Sequence, residues 1–374
     1  MNFTVSSSLL SSRLQTISRV INSKITIPVL DCFLFELKGN TLTLTASDPD
    51  NTLNTSFEVI ESSEDFSFAI SSKILIDALK EVSEQPLRFE VNKDTLELTI
   101  YYLNGKYSMV GQNADEYPSA PVLGDGAVKI SMPNRVLSSG ISCSLFAAAD
   151  DEVRPVMCGI YFDFTPENVT FGASDCHKLA RCRDYSVTDA EKSAFILPKK
   201  PATLLKNLLG KDEQENVEVE FDGRFATFTM GEYELVCRLL DGRYPNYNAV
   251  IPQNNPHKLT VDRAALISTL RRVAIFSSHV SLIKLHIEAG KIVISAQDTD
   301  FSTSAEESIT CRYEGLPMNI GFRASLLIDM LNNIPGQEVV IELADPSRAG
   351  VLVPAEQVEN QELLMLLLPV MITD

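Results

Sequence analysis

The sequence predicts an α+β fold used three times over, each copy placing two helices on one face of an antiparallel sheet. One block recurs in a fixed register: Phe33-Leu-Phe-Glu-Leu before Leu42-Thr-Leu-Thr-Ala46-Ser-Asp48, Ile160-Tyr-Phe-Asp-Phe before Val169-Thr-Phe-Gly-Ala173-Ser-Asp175, and Lys284-Leu-His-Ile before Ile292-Val-Ile-Ser-Ala296-Gln-Asp298. The closing aspartates lie 127 and 123 residues apart. That is the spacing of whole domains, well beyond the roughly 20 to 50 residues of a solenoid unit. Each copy also runs through the same order of patterns: helix, two alternating strands, connection, second helix, further strands.

In the first copy Leu10, Leu14, Ile17 and Ile21 fall on one helical face, and Pro28 ends the pattern. Leu75, Leu79 and Val82 mark its second helix. Leu87-Arg-Phe-Glu-Val91 and Leu96-Glu-Leu-Thr-Ile100 alternate with period two, which predicts strands with one buried and one wet face. The second copy has Leu137, Ile141 and Leu145, then Leu205, Leu208 and Leu209. The third has Leu266, Leu270 and Val273, then Leu327, Leu331 and Ile334, stopped by Pro335-Gly336. Proline and glycine cluster at 117–126 and 244–256, so the expected domains are 1–122, 123–251 and 252–374.

A hydrophobic content of 45% over 374 residues is enough to bury a core in each copy. No apolar run approaches the roughly 20 residues of a membrane helix, and the start has no basic segment followed by an apolar one. A soluble cytoplasmic protein is expected. The seven cysteines include no Cys-x-x-Cys pair, which fits reduced thiols better than a disulfide framework or zinc ribbon.

Catalytic signatures are absent from the sequence. Gly124-Asp-Gly126 lacks the third glycine and the preceding strand of a dinucleotide fingerprint, and no phosphate loop ending in Gly-Lys-Ser/Thr exists. Cys176 and His177 are adjacent on an extended segment and point apart, so they read as packing rather than as a thiolate and its base. Asp48-Pro-Asp50 and Asp298-Thr-Asp300 lack the further oxygen ligands of a hard-cation site. The histidines at 177, 257, 279 and 286 have no zinc-ligand spacing. No catalytic residue, metal or cofactor is assigned.

A net charge of −18 argues against nucleic acid until the charge is sorted by element. The helix windows 6–24, 71–84, 133–152, 198–211, 261–279 and 322–336 hold 14 basic and 8 acidic residues, a net of +6 against −24 for the rest. Two readings follow: ordinary solvated helix faces, or one basic surface suited to a DNA backbone and indifferent to base sequence. The C-terminal run Leu363–Ile372 is apolar and interrupted by Pro369. It reads as a buried strand through about Leu367, then an apolar tail suited to a peptide-binding groove.

Six further motifs occur in order: Met1-Asn-Phe-Thr-Val, Ile25-Thr-Ile-Pro-Val-Leu30, Ser174-Asp-Cys-His-Lys-Leu-Ala180, Asp241-Gly-Arg-Tyr-Pro-Asn-Tyr247, Ile320-Gly-Phe-Arg323 and Leu368-Pro-Val-Met371. With the threefold repeat they make the whole chain resemble the bacterial DNA sliding clamps, the beta subunits of DNA polymerase III. The resemblance implies a head-to-tail homodimer closed into a six-domain ring, with helices lining the hole and sheets outside. It also implies double-stranded DNA as cargo, no catalysis, opening by an ATP-driven clamp loader, and tethering of the polymerase catalytic subunit and of other replication and repair proteins.

By position, the resemblance implies that Lys24, Lys73, Lys199, Lys200, Arg271 and Arg272 face DNA. It implies a partner-peptide groove of Arg154, Met157, Ser174, Cys176, His177, Lys178, Leu179, Pro245, Val250, Leu366, Leu368, Pro369, Val370 and Met371. It puts Ile74, Tyr107 and Met109 of one chain against Ile275 and Phe276 of the other. The sequence departs from the family pattern at Cys176 (glycine there), at Lys178 (arginine there), at Asp150 and Asp151 near the bore, and at Met371–Asp374, which replaces a basic ending. Two other readings stay open at this point: an acidic repeated-domain scaffold with no DNA role, and a hydrolase using Cys176 and His177.

Overall fold

A computed structural model describes residues 1–22, 27–151, 153–209, 216–278 and 281–372. Each recurring block is an antiparallel strand pair, Cys32–Lys38 with Thr41–Ser47, Gly159–Phe164 with Val169–Ser174, and Leu282–Glu288 with Lys291–Asp298. The equivalent pairs Leu37/Leu42, Phe164/Val169 and Ile287/Ile292 stand opposite one another. The recurring aspartate has one task in all three copies. Asp48 Oδ1 accepts the backbone N–H of Asp50 and Asn51 at 2.8 and 2.7 Å, Asp175 Oδ1 those of His177 and Lys178 at 2.8 Å each, and Asp298 Oδ1 those of Asp300 and Phe301 at 2.9 and 3.3 Å. A short carboxylate that caps its own turn is what lets the chain reverse there.

Two compact units result, Met1–Arg135 with Thr203–Leu239, and Val136–Ala202 with Leu240–Asp374. The first has a five-stranded and a nine-stranded sheet, the second a four-stranded and a nine-stranded one. Both nine-stranded sheets contain the same joint. In the first unit Asn51–Glu58, the strand after the first block, pairs antiparallel with Tyr233–Arg238, the last strand of the middle repeat. In the second, Lys178–Asp184 pairs in the same sense with Gln361–Leu367, the last strand of the third repeat. Two strands of these kinds stay at sheet edges: Gly105–Val110, the last long strand of the first repeat, and Thr303–Thr310, which follows the third block.

Six α-helices are present among the described residues: α1 (Ser7–Ile17), α2 (Ser72–Lys80), α3 (Asn134–Ser144), α4 (Lys199–Leu208), α5 (Arg263–Ala274) and α6 (Ala324–Asn332). Their buried faces are the expected ones, with Leu10, Leu14 and Ile17 on α1 and Leu266, Leu270 and Val273 on α5. Ser6 caps α1 through the N–H of Leu9 at 3.2 Å, and Asp262 caps α5 through that of Ala265 at 2.7 Å. The expected helix ends are too long. Ile21, Val82, Leu145, Leu209 and Ile334 lie past the α-helices, and α1 and α3 tighten into the 3-10 turns Ser18–Val20 and Leu145–Ala147. Such a turn keeps side chains on nearly the same face, so apolar periodicity runs through it unchanged. Leu96 is also displaced from expectation. It stands at φ +56 in the turn before the strand Glu97–Tyr102 rather than opening that strand.

Phenylalanines fill the cores: Phe3 stacks on Phe89 at 4.6 Å in the first unit, and Phe162 on Phe195 at 4.6 Å in the second. Helix α3 lies directly on the middle block, since a Cβ on Gly140 would come within 2.4 Å of the Phe171 ring. Gly140→Ala is therefore expected to lower unfolding stability by about 1–3 kcal/mol, read by urea denaturation, because neither the helix nor a fully buried ring has room to shift. An unchanged midpoint would show that the two move apart freely. No helix of the described residues is long and apolar enough to cross a membrane.

Candidate functional site

The turn that ends the middle block forms one side of a cavity of about 360 Å3 in the second unit. Three other segments complete it: Arg154 with the 3-10 turn Pro155–Met157, the stretch Tyr244–Val250, and Leu366 with Leu368 at the end of the chain. Leu179 and Leu366, on paired strands, belong to one buried apolar cluster with Tyr244 and Tyr247. Tyr161 stacks on Tyr244 at 5.0 Å and meets Tyr247 edge-on at 6.3 Å, so the tyrosine wall is fixed from behind. At the rim Val250 and Leu368 are 60% and 44% exposed. An apolar hollow with exposed apolar lips gains free energy when a partner covers it.

Within the turn, Ser174 Oγ donates to the carbonyl of Lys178 at 2.8 Å and accepts the N–H of Cys176 at 3.2 Å. Cys176 stands at φ +74. The Arg154 guanidinium donates to its sulfur, which lies 3.7 Å from Met157 Sδ. Lys178 lines the cavity as expected but is held by ion pairs. Its side chain is 9% exposed, with Nζ 3.6 Å from Asp175, 3.8 Å from Asp329 on α6, and 5.6 Å from the centre of the Phe146 ring.

The chain end behaves as expected through Leu368 and differs beyond it. Leu368 N–H donates to the His177 carbonyl at 3.0 Å, and Val370 N–H to that of Gly321 at 2.8 Å. Gly321 admits this approach because a Cβ there would lie 2.7 Å from the Val370 carbonyl. Pro369, Val370 and Met371 are consequently outside the cavity lining, although Met371 is 72% exposed. Tyr244, Asn246 and Tyr247 line the cavity without having been expected there. Their only sequence signal, Tyr-Pro-Asn-Tyr, reads equally well as a domain boundary.

The six helices carry ten basic and two acidic residues, so trimming them to their true lengths sharpens the charge contrast. The expected DNA-facing cations are not alike. Lys73 and Arg271 are exposed, and Lys200 is partly so. Lys199 forms an ion pair with Asp150 that holds this carboxyl below its ordinary range. Arg272 grips Glu307 with two nitrogens, at 2.9 and 2.7 Å, and lowers that carboxyl likewise. Lys24 lies outside the described residues. Of the expected contact surface between chains, Ile74 is 56% exposed, Ile275 77% and Phe276 39%, while Tyr107 and Met109 sit partly exposed on the edge strand Gly105–Val110.

Family models for the N-terminal, central and C-terminal domains of the DNA polymerase III beta subunit match residues 1–121, 131–246 and 248–369. The chain belongs to the DNA polymerase III beta subunit family. A curated relative, the beta sliding clamp of Pseudomonas putida, is 26% identical over 367 residues, covering 98% of this chain and 99% of its own length. A solved sliding clamp of Bartonella birtlesii, bound to griselimycin, is 25% identical with a TM-score of 0.92 and full coverage of both chains. A sliding clamp structure from Pseudomonas aeruginosa has the same fold, at a TM-score of 0.93 and 24% identity over both full chains.

As a beta-subunit family member the chain is a sliding clamp, a non-catalytic part of the replication machinery. The departure at Cys176 gains a physical meaning in this setting. A left-handed backbone costs a side chain about 1–2 kcal/mol that glycine does not incur. The sulfur recovers contacts with Arg154 and Met157 in return.

Proposed function

We propose that two copies of this chain, each with domains 1–122, 123–251 and 252–374, join head to tail into a closed six-domain ring that encircles duplex DNA without sequence preference. The observation that carries this reading is the strand joint made twice within the chain and left unmade at both ends. Gly105–Val110 is the kind of strand that closes the joint, and Thr303–Thr310 the kind that receives it. An open edge strand invites pairing with another chain. Lys106 on the first strand and Glu306 on the second favour each other, and exposed Ile74, Ile275 and Phe276 supply apolar area beside them.

In this ring the helix-borne cations face phosphate, and the cavity beside Cys176 receives short apolar peptides of the polymerase catalytic subunit, the clamp loader and repair proteins. Cytoplasmic location accords with that role. The decisive experiment loads the protein on nicked circular duplex and then cuts the DNA once. Retention before the cut and release after it are expected, since a ring holds by topology; equal retention on both forms would refute encirclement.

The ion pairs rank the cations. Arg271→Glu is expected to weaken DNA binding at low salt more than Lys199→Glu and to flatten the salt dependence, because Lys199 already shares its charge with Asp150. Equal losses in a salt titration would place both ammonium and guanidinium at phosphate.

A further inference from the structure

Outside the cavity and the helix cations, one cluster of nucleophilic groups stands apart. Cys143 on α3 and Cys182 on the strand Lys178–Asp184 hydrogen-bond through their sulfurs, although 39 residues separate them in sequence. No disulfide joins them. Cys182 is 2% exposed, whereas Cys143 lines a second cavity, of about 290 Å3, together with Ser139, Asn333, Pro335, Gln361 and Leu363. That cavity is ample for a small oxidant. Two of its lining side chains are joined, Ser139 Oγ donating to Gln361 Oε1 at 3.2 Å.

We propose that Cys143 and Cys182 form a peroxide-oxidisable dithiol, with Cys143 as the attacking sulfur and Cys182 as the resolving one. The asymmetry of the site assigns the roles. Cys182 is buried away from the cavity whereas Cys143 stands in its wall, so an oxidant in the cavity meets Cys143 first. Cys143 thiolate attacks one oxygen of a hydroperoxide, the O–O bond breaks, and water or an alcohol leaves after protonation. The sulfenic acid on Cys143 then condenses with the Cys182 thiol: the S–S bond forms, the S–O bond breaks, and water leaves with the Cys182 proton. Two electrons pass from the thiols to the peroxide, and no other reactant is needed.

The product would tie α3 to a strand that begins at the groove turn and lies in register against the chain's last strand, Cys182 opposite Leu363. Cys176, exposed beside Arg154, is the competing thiol. The test therefore uses the full-length protein carrying Cys176→Ser. It is reduced, exposed to hydrogen peroxide, denatured in N-ethylmaleimide and mapped by mass spectrometry. The expected result is a peptide pair linked through Cys143 and Cys182 that dithiothreitol separates. With Cys182→Ala added, the expected product is a dimedone adduct on Cys143. Alkylation of both cysteines after peroxide, or oxidation at Cys311 or Cys158 in their place, would overturn the proposal. Cys143→Ser, altering a partly exposed position, guards against a folding artefact: it should leave Cys182 fully alkylated, and oxidation of Cys182 there would also overturn it.

Discussion

Replacing Ile275 and Phe276 together by aspartate is expected to turn the proposed dimer into monomers while leaving each chain folded. Both residues are exposed in the single chain, so they carry little of its own stability. At a contact between chains each apolar anchor is worth about 2 kcal/mol or more, and a buried unpaired carboxylate adds its desolvation cost. Two anchors thus raise the dissociation constant by at least about a thousandfold. Sedimentation velocity at micromolar concentration reads the loss, and an unchanged circular dichroism spectrum shows that the fold survives. Retention on nicked circular duplex must fall with it. A variant that remained a dimer would exclude this surface as the joint.

Val250→Asp with Leu368→Asp should remove the proposed partner binding and spare the proposed dimer. These two lips of the cavity are exposed, unlike Leu179 and Leu366, whose replacement would damage the core. Truncating the tail is a poorer test, because Val370 is tied to Gly321 and its loss would expose that strand. Two apolar anchors replaced by charge predict at least about a thousandfold weaker binding of the polymerase catalytic subunit, read by surface plasmon resonance. Undiminished binding in a dimeric variant would move the partner site elsewhere.

The core and the turns were legible in the sequence because their signals are local. An apolar residue every three or four positions declares a helix face, and Asp48, Asp175 and Asp298 declare turns that each carboxylate caps within three residues. Helix ends were less legible, since a 3-10 turn continues the same apolar face. The charges were least so. Lys178 and Lys199 look alike as basic residues, but what they do depends on Asp329 and Asp150, which only the fold brings near. Tyr244 and Tyr247 were hidden for a different reason: Pro245 between them marks a break in regular structure, and a break reads as a boundary whether or not it walls a cavity.

The strand joint has one more consequence for the proposed ring. Of its six joints, four would lie within a chain, where the connecting polypeptide keeps the two strands at high effective concentration. A separated pair there meets again before it can drift apart. The remaining two have no such leash. Equal joints are thereby made unequal by connectivity alone, and a ring built this way has its gates at the two places where Gly105–Val110 meets Thr303–Thr310, with the other four acting as hinges at most.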